Sequence, residues 1–136
     1  MHTILAIDDE ETCLEVITFS LETRGFKVLI ASSAKEGLAI LRDNTKIDLI
    51  LLDMMLPDLY GLDALAEIKK IETAKNIPVV MQTGAFNETD LRKSISLGAE
   101  NFIIRKPYTK KDLLLAVDSA LNNINLPKAL KESNLG

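Results

Sequence analysis

Five side chains stand at the ends of four apolar runs, and together they carry the chemistry of phosphoryl transfer. "TILAIDD" ends in Asp8 and Asp9, "KIDLILLD" in Asp53, "IPVVMQT" in Thr83, and "NFIIRKP" carries Lys106 ahead of Pro107. If these runs are parallel strands of one sheet, their carboxyl ends share a crevice, where open α/β sheets hold their ligands. The pocket then contains three carboxylates, a hydroxyl and an ammonium. Carboxylates that converge without a cation repel one another. A hard divalent ion such as Mg²⁺, which takes oxygen ligands and keeps waters that a phosphate oxygen can replace, removes that conflict. The alternative reading of "DDEE" at 8–11 is a set of acids complementing a helix dipole. That suits Glu10 and Glu11 better than Asp8 and Asp9, which lie at the same sheet edge as Asp53. Asp53 is the natural nucleophile, because a carboxylate can attack phosphorus to give an acyl phosphate. Lys106 and Thr83 would meet the equatorial oxygens. Asp48 belongs to the other end of its strand, and Asp58, after Pro57, reads as a solvated turn residue.

The elements that must position these groups alternate between strand and helix five times. Strands are predicted over 3–8, 27–32, 47–53, 78–83 and 101–106. Helices follow over 10–26, 33–44, 61–72, 87–98 and 109–123. Leu14, Ile17 and Leu21 recur at helical spacing, with Gly25 as the stop. Ser32 or Ser33, Asn87 and Thr109 are the expected N-caps. The run "IDLILLD" is continuously apolar, as a strand buried on both faces should be. The alternation predicts an α/β fold: a flavodoxin-like doubly wound (βα)5 unit with a five-stranded parallel sheet in the order 2-1-3-4-5. Residues 1–123 are expected to form the domain and 124–136, broken by Pro127, a C-terminal tail or the start of a linker.

Composition narrows the classes. The chain has 136 residues, 47% of them hydrophobic, enough for one sizeable core. A net charge of -4 disfavours nucleic-acid or acidic-membrane binding through bulk charge. No apolar run approaches the roughly 20 residues of a membrane span, and the N-terminus does not read as a signal peptide. Cys13 is the sole cysteine, which excludes an internal disulfide and a cysteine-based zinc site. A cytoplasmic setting fits these features.

Competing chemistries fit less well. A flavodoxin binds its phosphate in a hydroxyl-rich loop after the first strand; "DDEE" would repel an anion there. A haloacid-dehalogenase-type phosphatase spaces its two aspartates by one residue, whereas Asp8 and Asp9 are adjacent. No P-loop or dinucleotide fingerprint occurs. His2, the only histidine, gives no basis for a histidine-dependent site.

The motifs "ILAIDDEE", "LILLDMMLPDLYGLD", "PVVMQTGA", "LGAENF" and "KPY", in this order and spacing, make residues 3–122 resemble the receiver domain of two-component response regulators, of the chemotaxis-Y-like kind. The resemblance implies that Asp53 accepts a phosphoryl group from a sensor histidine kinase or a histidine phosphotransfer protein. It implies Mg²⁺, replaceable by Mn²⁺, held by Asp9, Asp8, Asp53 and the backbone carbonyl of Met55, with Thr83 and Lys106 contacting the phosphoryl oxygens. It also implies a cis Lys106–Pro107 bond and a phosphorylation-dependent shift of the surface formed by the helix over 87–98, the fifth strand and the last helix. Such a protein is not an enzyme beyond its own phosphotransfer and autodephosphorylation. Its other partner would be a downstream protein or an effector domain outside this segment; no direct nucleic-acid or membrane contact is expected from the segment itself.

Two departures from the pattern stand out. The position three before Lys106, where the family carries its switch aromatic, is Ile103, while Phe102 is four before it, so either can take that place. The same count leaves Arg105 as a second candidate for the lysine's role, with the adjacent proline favouring Lys106. Met55 and Ala85 occupy positions where rapidly dephosphorylating members carry polar side chains, which implies a long-lived phosphoaspartate. Different-class alternatives are a degenerate receiver acting only as a protein-binding module and a small Mg²⁺-dependent phosphatase.

Overall fold

In a computed structural model, which describes residues 2–43, 46–84, 89, 92, 96 and 103–122, the chain forms one five-stranded parallel sheet in the order β2-β1-β3-β4-β5. The strands are β1 (Thr3–Ile7), β2 (Lys27–Ala31), β3 (Leu49–Asp53), β4 (Val79–Thr83) and β5 (Ile103–Arg105). The helices placed between and after them are α1 (Glu11–Glu22), α2 (Ala34–Asp43), α3 (Gly61–Lys69) and α4 (Lys110–Leu121). The architecture is the predicted doubly wound α/β sheet. Apart from residues 89, 92 and 96, the helix expected over 87–98 lies outside the described residues, as do Asn87, Phe102 and the segment after Asn122.

Burial explains the strand order. Every residue of β3 and β4 is buried, which is why "LILLD" and "VVMQT" carry almost no polar alternation. β2, at the sheet edge, is only partly covered. Alternate residues of the strands supply two cores. Leu5, Ile7, Ile50, Leu52 and Met81 pack with α2 and α3 on one face. Ile4, Ala6, Leu49, Leu51, Val80 and Ile104 pack with α1 and α4 on the other. The Leu14, Ile17 and Leu21 stripe is the buried face of α1. Gly25, at φ 86°, takes the left-handed turn that ends it.

The helix ends are tied in ways that hold the sheet's carboxyl edge. Ser33 caps α2, its hydroxyl accepting the Glu36 N–H at 3.1 Å. Asp58 adds a cap from a distance: its two carboxylate oxygens accept the N–H groups of Ala34 (2.9 Å) and Lys35 (2.8 Å). Those two hydrogen bonds hold its carboxyl below the usual range. The expected solvated turn residue is therefore exposed but also anchors the β3–α3 loop to α2. Thr109 caps α4 in a reciprocal box with Asp112.

Gly61, the first residue of α3, lets that loop close against the end of β3. Its N–H donates to the Met54 carbonyl at 2.6 Å. A Cβ at this position would sit 2.6 Å from both the Asp53 carbonyl oxygen and the Met54 Cα. Backbone cannot rotate away as a side chain can, so Gly61→Ala should displace the Asp53–Met54 peptide and destabilise the protein by about 1–3 kcal/mol, the usual cost of overpacking. Urea unfolding of the two proteins measures this; equal midpoints would refute the close-approach argument.

Candidate functional site

The carboxyl ends of β1, β3, β4 and β5 bring the predicted residues to one edge. Asp8 follows β1 and is fully buried, whereas Asp9 beside it is exposed. Asp53 is the last residue of β3 and is 5% exposed. Thr83 is the buried last residue of β4. Lys106 follows β5, its side chain 15% exposed. Met55, two residues past Asp53, forms an isolated antiparallel bridge with Tyr60 and leaves its side chain in solvent.

Buried Asp8 is fully engaged. One oxygen accepts the Glu10 N–H at 2.9 Å, and the other accepts from Lys106 Nζ at 2.7 Å. The same ammonium lies 3.6 Å from Asp53 Oδ1 and 3.7 Å from Glu10 Oε1. The Lys106 ammonium is therefore placed among the acids. In the sheet register, Ile103 pairs with Met81 and Arg105 with Thr83, and the Lys106 N–H donates to the Thr83 carbonyl at 2.7 Å. The Lys106–Pro107 peptide is cis, as the resemblance implied.

Asp8, Asp9 and Asp53 each direct one carboxylate oxygen to a common region, the three atoms lying within 4.8 Å of one another. This all-oxygen set fits a hard cation such as Mg²⁺ or Mn²⁺. Asp8, Glu10 and Cys13 also cluster within 4.8 Å. That second set includes a thiol whose pKa is raised, chiefly by burial, so that it keeps its proton at neutral pH and is a poor ligand. The residues present thus favour the three aspartates as the cation site.

The electrostatics follow from burial and from the charges gathered at this edge. Burial raises the Asp53 pKa from 3.8 to about 6; Lys106 opposes the rise, Asp8 adds to it, and a hydrogen bond from the Met55 N–H opposes it again. Burial depresses the Lys106 ammonium, but its hydrogen bond to Asp8 and the charges of Asp53 and Asp8 outweigh that and raise its pKa. The set can hold a cation and present a carboxylate to an electrophile, with an ammonium alongside.

Sequence reasoning missed the roles of three participants. Gln82, the β4 residue paired with Asp53, is fully buried and accepts a hydrogen bond from the Tyr108 hydroxyl at 2.5 Å. Asp58 and Gly61 fix the loop that follows Asp53. The only signal for Gln82 was a polar residue inside an apolar strand, and for Gly61 a glycine at a helix start.

Comparison with known proteins accords with this geometry. The family model for the response regulator receiver domain matches residues 4–118. Among curated relatives, the phosphate regulon transcriptional regulatory protein PhoB of Pseudomonas aeruginosa is 34% identical over 119 residues, covering 88% of this chain and 51% of PhoB. The response regulator SaeR of Staphylococcus aureus is 29% identical over 124 residues, covering 91% of this chain and 52% of SaeR. The chain thus spans about half the length of the curated relatives it matches. Among solved structures, a response regulator receiver domain protein from Clostridium thermocellum superposes with a TM-score of 0.82 at 41% identity, covering 90% of this chain and 96% of the other. A CheY-like receiver domain protein from Methanospirillum hungatei gives 0.83 at 32% identity, covering 90% and 95%. With most of its length matched by the family model and its sheet edge built from the same acidic and basic groups that the fold predicted, the chain belongs to the response regulator receiver domain family.

Proposed function

We propose that Asp53 accepts a phosphoryl group from the phosphohistidine of a sensor histidine kinase or a histidine phosphotransfer protein. An Asp53 carboxylate oxygen attacks phosphorus, the P–O bond forms as the P–N bond breaks, and the leaving imidazole takes up a proton. Lys106 lies beside the acceptor to neutralise equatorial charge, and the Thr83 hydroxyl, at the next strand end, donates a hydrogen bond to a phosphoryl oxygen. Asp8, Asp9, Asp53 and the Met55 carbonyl would hold Mg²⁺, which supplies the remaining charge neutralisation. The observation that carries this reading is the convergence of three carboxylate oxygens within 4.8 Å, with the Lys106 ammonium 3.6 Å from Asp53.

The setting supports a protein donor. Val16 and Phe19, three residues apart on α1, leave 55% and 68% of their areas exposed, and Met55, two residues after Asp53, leaves 64%: apolar side chains that a partner protein can bury. A cleft of about 430 Å³ lined by Cys13, Val16, Gly84, Lys106 and Tyr108 opens next to the ammonium. The signal would leave through the helix expected over 87–98, β5 and α4 toward a downstream protein or effector domain, in the cytoplasm. Residues 1–123 serve as the signalling unit and 124–136 as a tail or linker in this reading.

Phosphoramidate or acetyl phosphate with Mg²⁺, followed by intact-mass measurement, tests the proposal. One phosphoryl increment should appear, require the metal, and be absent in Asp53→Asn. No adduct with any donor would leave a binding-only module, and repeated turnover of unrelated phosphomonoesters would make the protein a phosphatase. The Met55 side chain has no hydroxyl, amide or charged group to orient an attacking water, so the adduct should outlast minutes after donor removal; loss within seconds would contradict that.

A further inference from the structure

Gln82 and Tyr108 form a polar pair that the phosphotransfer chemistry leaves unexplained. Gln82 is fully buried in β4, in register with Asp53 of β3, on the sheet face that carries Val80 and Ile104. Its Oε1 accepts from the Tyr108 hydroxyl at 2.5 Å, and its Nε2 meets no acceptor among the described residues. A buried amide with half its hydrogen bonding unmet costs stability that an apolar side chain of the same size would not. Stability alone therefore does not account for a glutamine here.

The backbone around the pair shows what it restrains. The Lys106 N–H donates to the Thr83 carbonyl at 2.7 Å, and the Met54 N–H donates to the Gln82 carbonyl at 2.9 Å. The segment Lys106–Pro107–Tyr108 is thus fastened to β4 at both ends, at Thr83 through a backbone amide and at Gln82 through a phenol. From between these ties the Lys106 ammonium reaches Asp8 at 2.7 Å and Asp53 at 3.6 Å. We propose that Gln82 and Tyr108 are positioning residues whose hydrogen bond is a latch holding the Lys106 ammonium beside Asp53. The proposal rests on Asp53 being the phosphoryl acceptor. With the latch open, the ammonium keeps its pairing to Asp8 but spends less time where charge develops on the transferring group. A charged group that loses its preorganisation in this way slows the reaction by about tenfold or more.

The test uses the full chain with Gln82→Leu, Tyr108→Phe and the double variant, all close in size to the originals. The saturated rate of phosphorylation by phosphoramidate with Mg²⁺ is measured together with the donor concentration at half-maximal rate and the Tm. Each single variant should lower the saturated rate by about tenfold with little change in half-saturation. The double variant should be no slower than the slower single, because both substitutions open one latch. The Tm of the double variant should equal or exceed that of the wild type, since the orphaned amide and its phenol partner are both gone, whereas each single variant leaves one partner unpaired. A latch is overturned if the wild type is phosphorylated and the variants match it within about twofold, if the losses multiply in the double variant, or if the rates merely follow falling Tm values. A wild type that takes up no phosphoryl group overturns the acceptor assignment itself, and the latch with it.

Discussion

Asp53→Asn should abolish phosphoryl acceptance and, in metal-free buffer at pH 7, make the protein more stable. The first effect follows from chemistry, since an amide is not a nucleophile toward phosphorus as a carboxylate is. The second follows from linkage. Asp53 has its pKa raised, by burial first, from 3.8 to about 6. A carboxyl group raised in this way binds its proton in the folded protein at pH values where the unfolded chain has already released it. Stability therefore falls as pH rises between about 4 and 6, and above that window the folded protein carries the whole cost of a buried charge. At about 1.4 kcal/mol per pKa unit that cost is on the order of 1–3 kcal/mol. The asparagine has no charge to bury, and Lys106 keeps its 2.7 Å pairing to Asp8.

Thermal or urea unfolding at pH 4 and pH 7, with EDTA present, separates this from a generic packing effect. The stability gain should be large at pH 7 and shrink toward pH 4, where the wild-type carboxyl is already protonated. Mg²⁺ should then stabilise the wild type more than the variant, because a ligand that binds only the folded state adds stability in proportion to its affinity. A variant less stable than wild type at pH 7, or a difference that does not change with pH, would contradict the raised Asp53 pKa.

Much of this site was legible in the sequence because it depends on periodicity and on strand ends. The uninterrupted apolar runs that became β3 and β4 could only be central strands, and central parallel strands present their last residues at one edge. That reasoning located Asp53 and Thr83. What it could not locate were contacts set by loop closure rather than by period. Asp58 caps a helix that begins 24 residues earlier in the chain, and no local pattern reveals such a partner. Gly61 matters through a backbone approach of 2.6 Å, a distance that has no sequence signature. Gln82 has the parity of a core position, and its polarity alone gave no hint of a phenol from beyond β5. The register at β5 was ambiguous for a related reason. Three residues of strand carry too little alternation to choose a face, and what fixes Lys106 is its ion pairing across 98 residues of chain.

Lys106→Met should separate metal binding from phosphotransfer. Methionine keeps the length and the apolar stem but removes the ammonium that contacts Asp8, Asp53 and Glu10 at 2.7, 3.6 and 3.7 Å. In metal-free buffer the acids lose their internal counter-charge, with Asp8 fully buried. Breaking a buried pair by removing one partner costs about 3–5 kcal/mol, somewhat less here because the lysine retains some exposure. The loss should be complete from neutral pH up to about 10.5. The raised lysine pKa means that its contribution is fully present below 10.5 and disappears only as pH climbs through the higher folded-state value, so only the wild type should show that alkaline decline. Removing the ammonium also removes the largest influence holding the Asp53 pKa down, so the decline in stability as pH rises from about 4 should extend to higher pH than in the wild type. Mg²⁺ should bind the variant more tightly than the wild type, because a like charge no longer stands between the three carboxylates. It should also restore much of the lost stability. Phosphorylation at saturating Mg²⁺ should nevertheless be slower by about 10²-fold, since a preorganised charge facing the developing anion is gone. Calorimetric titration with Mg²⁺, unfolding with and without the metal, and single-turnover phosphorylation give the three readings. Weaker metal binding in the variant would mean that Lys106 organises the aspartates rather than competing with the cation, and an unchanged phosphorylation rate would remove Lys106 from the transfer step.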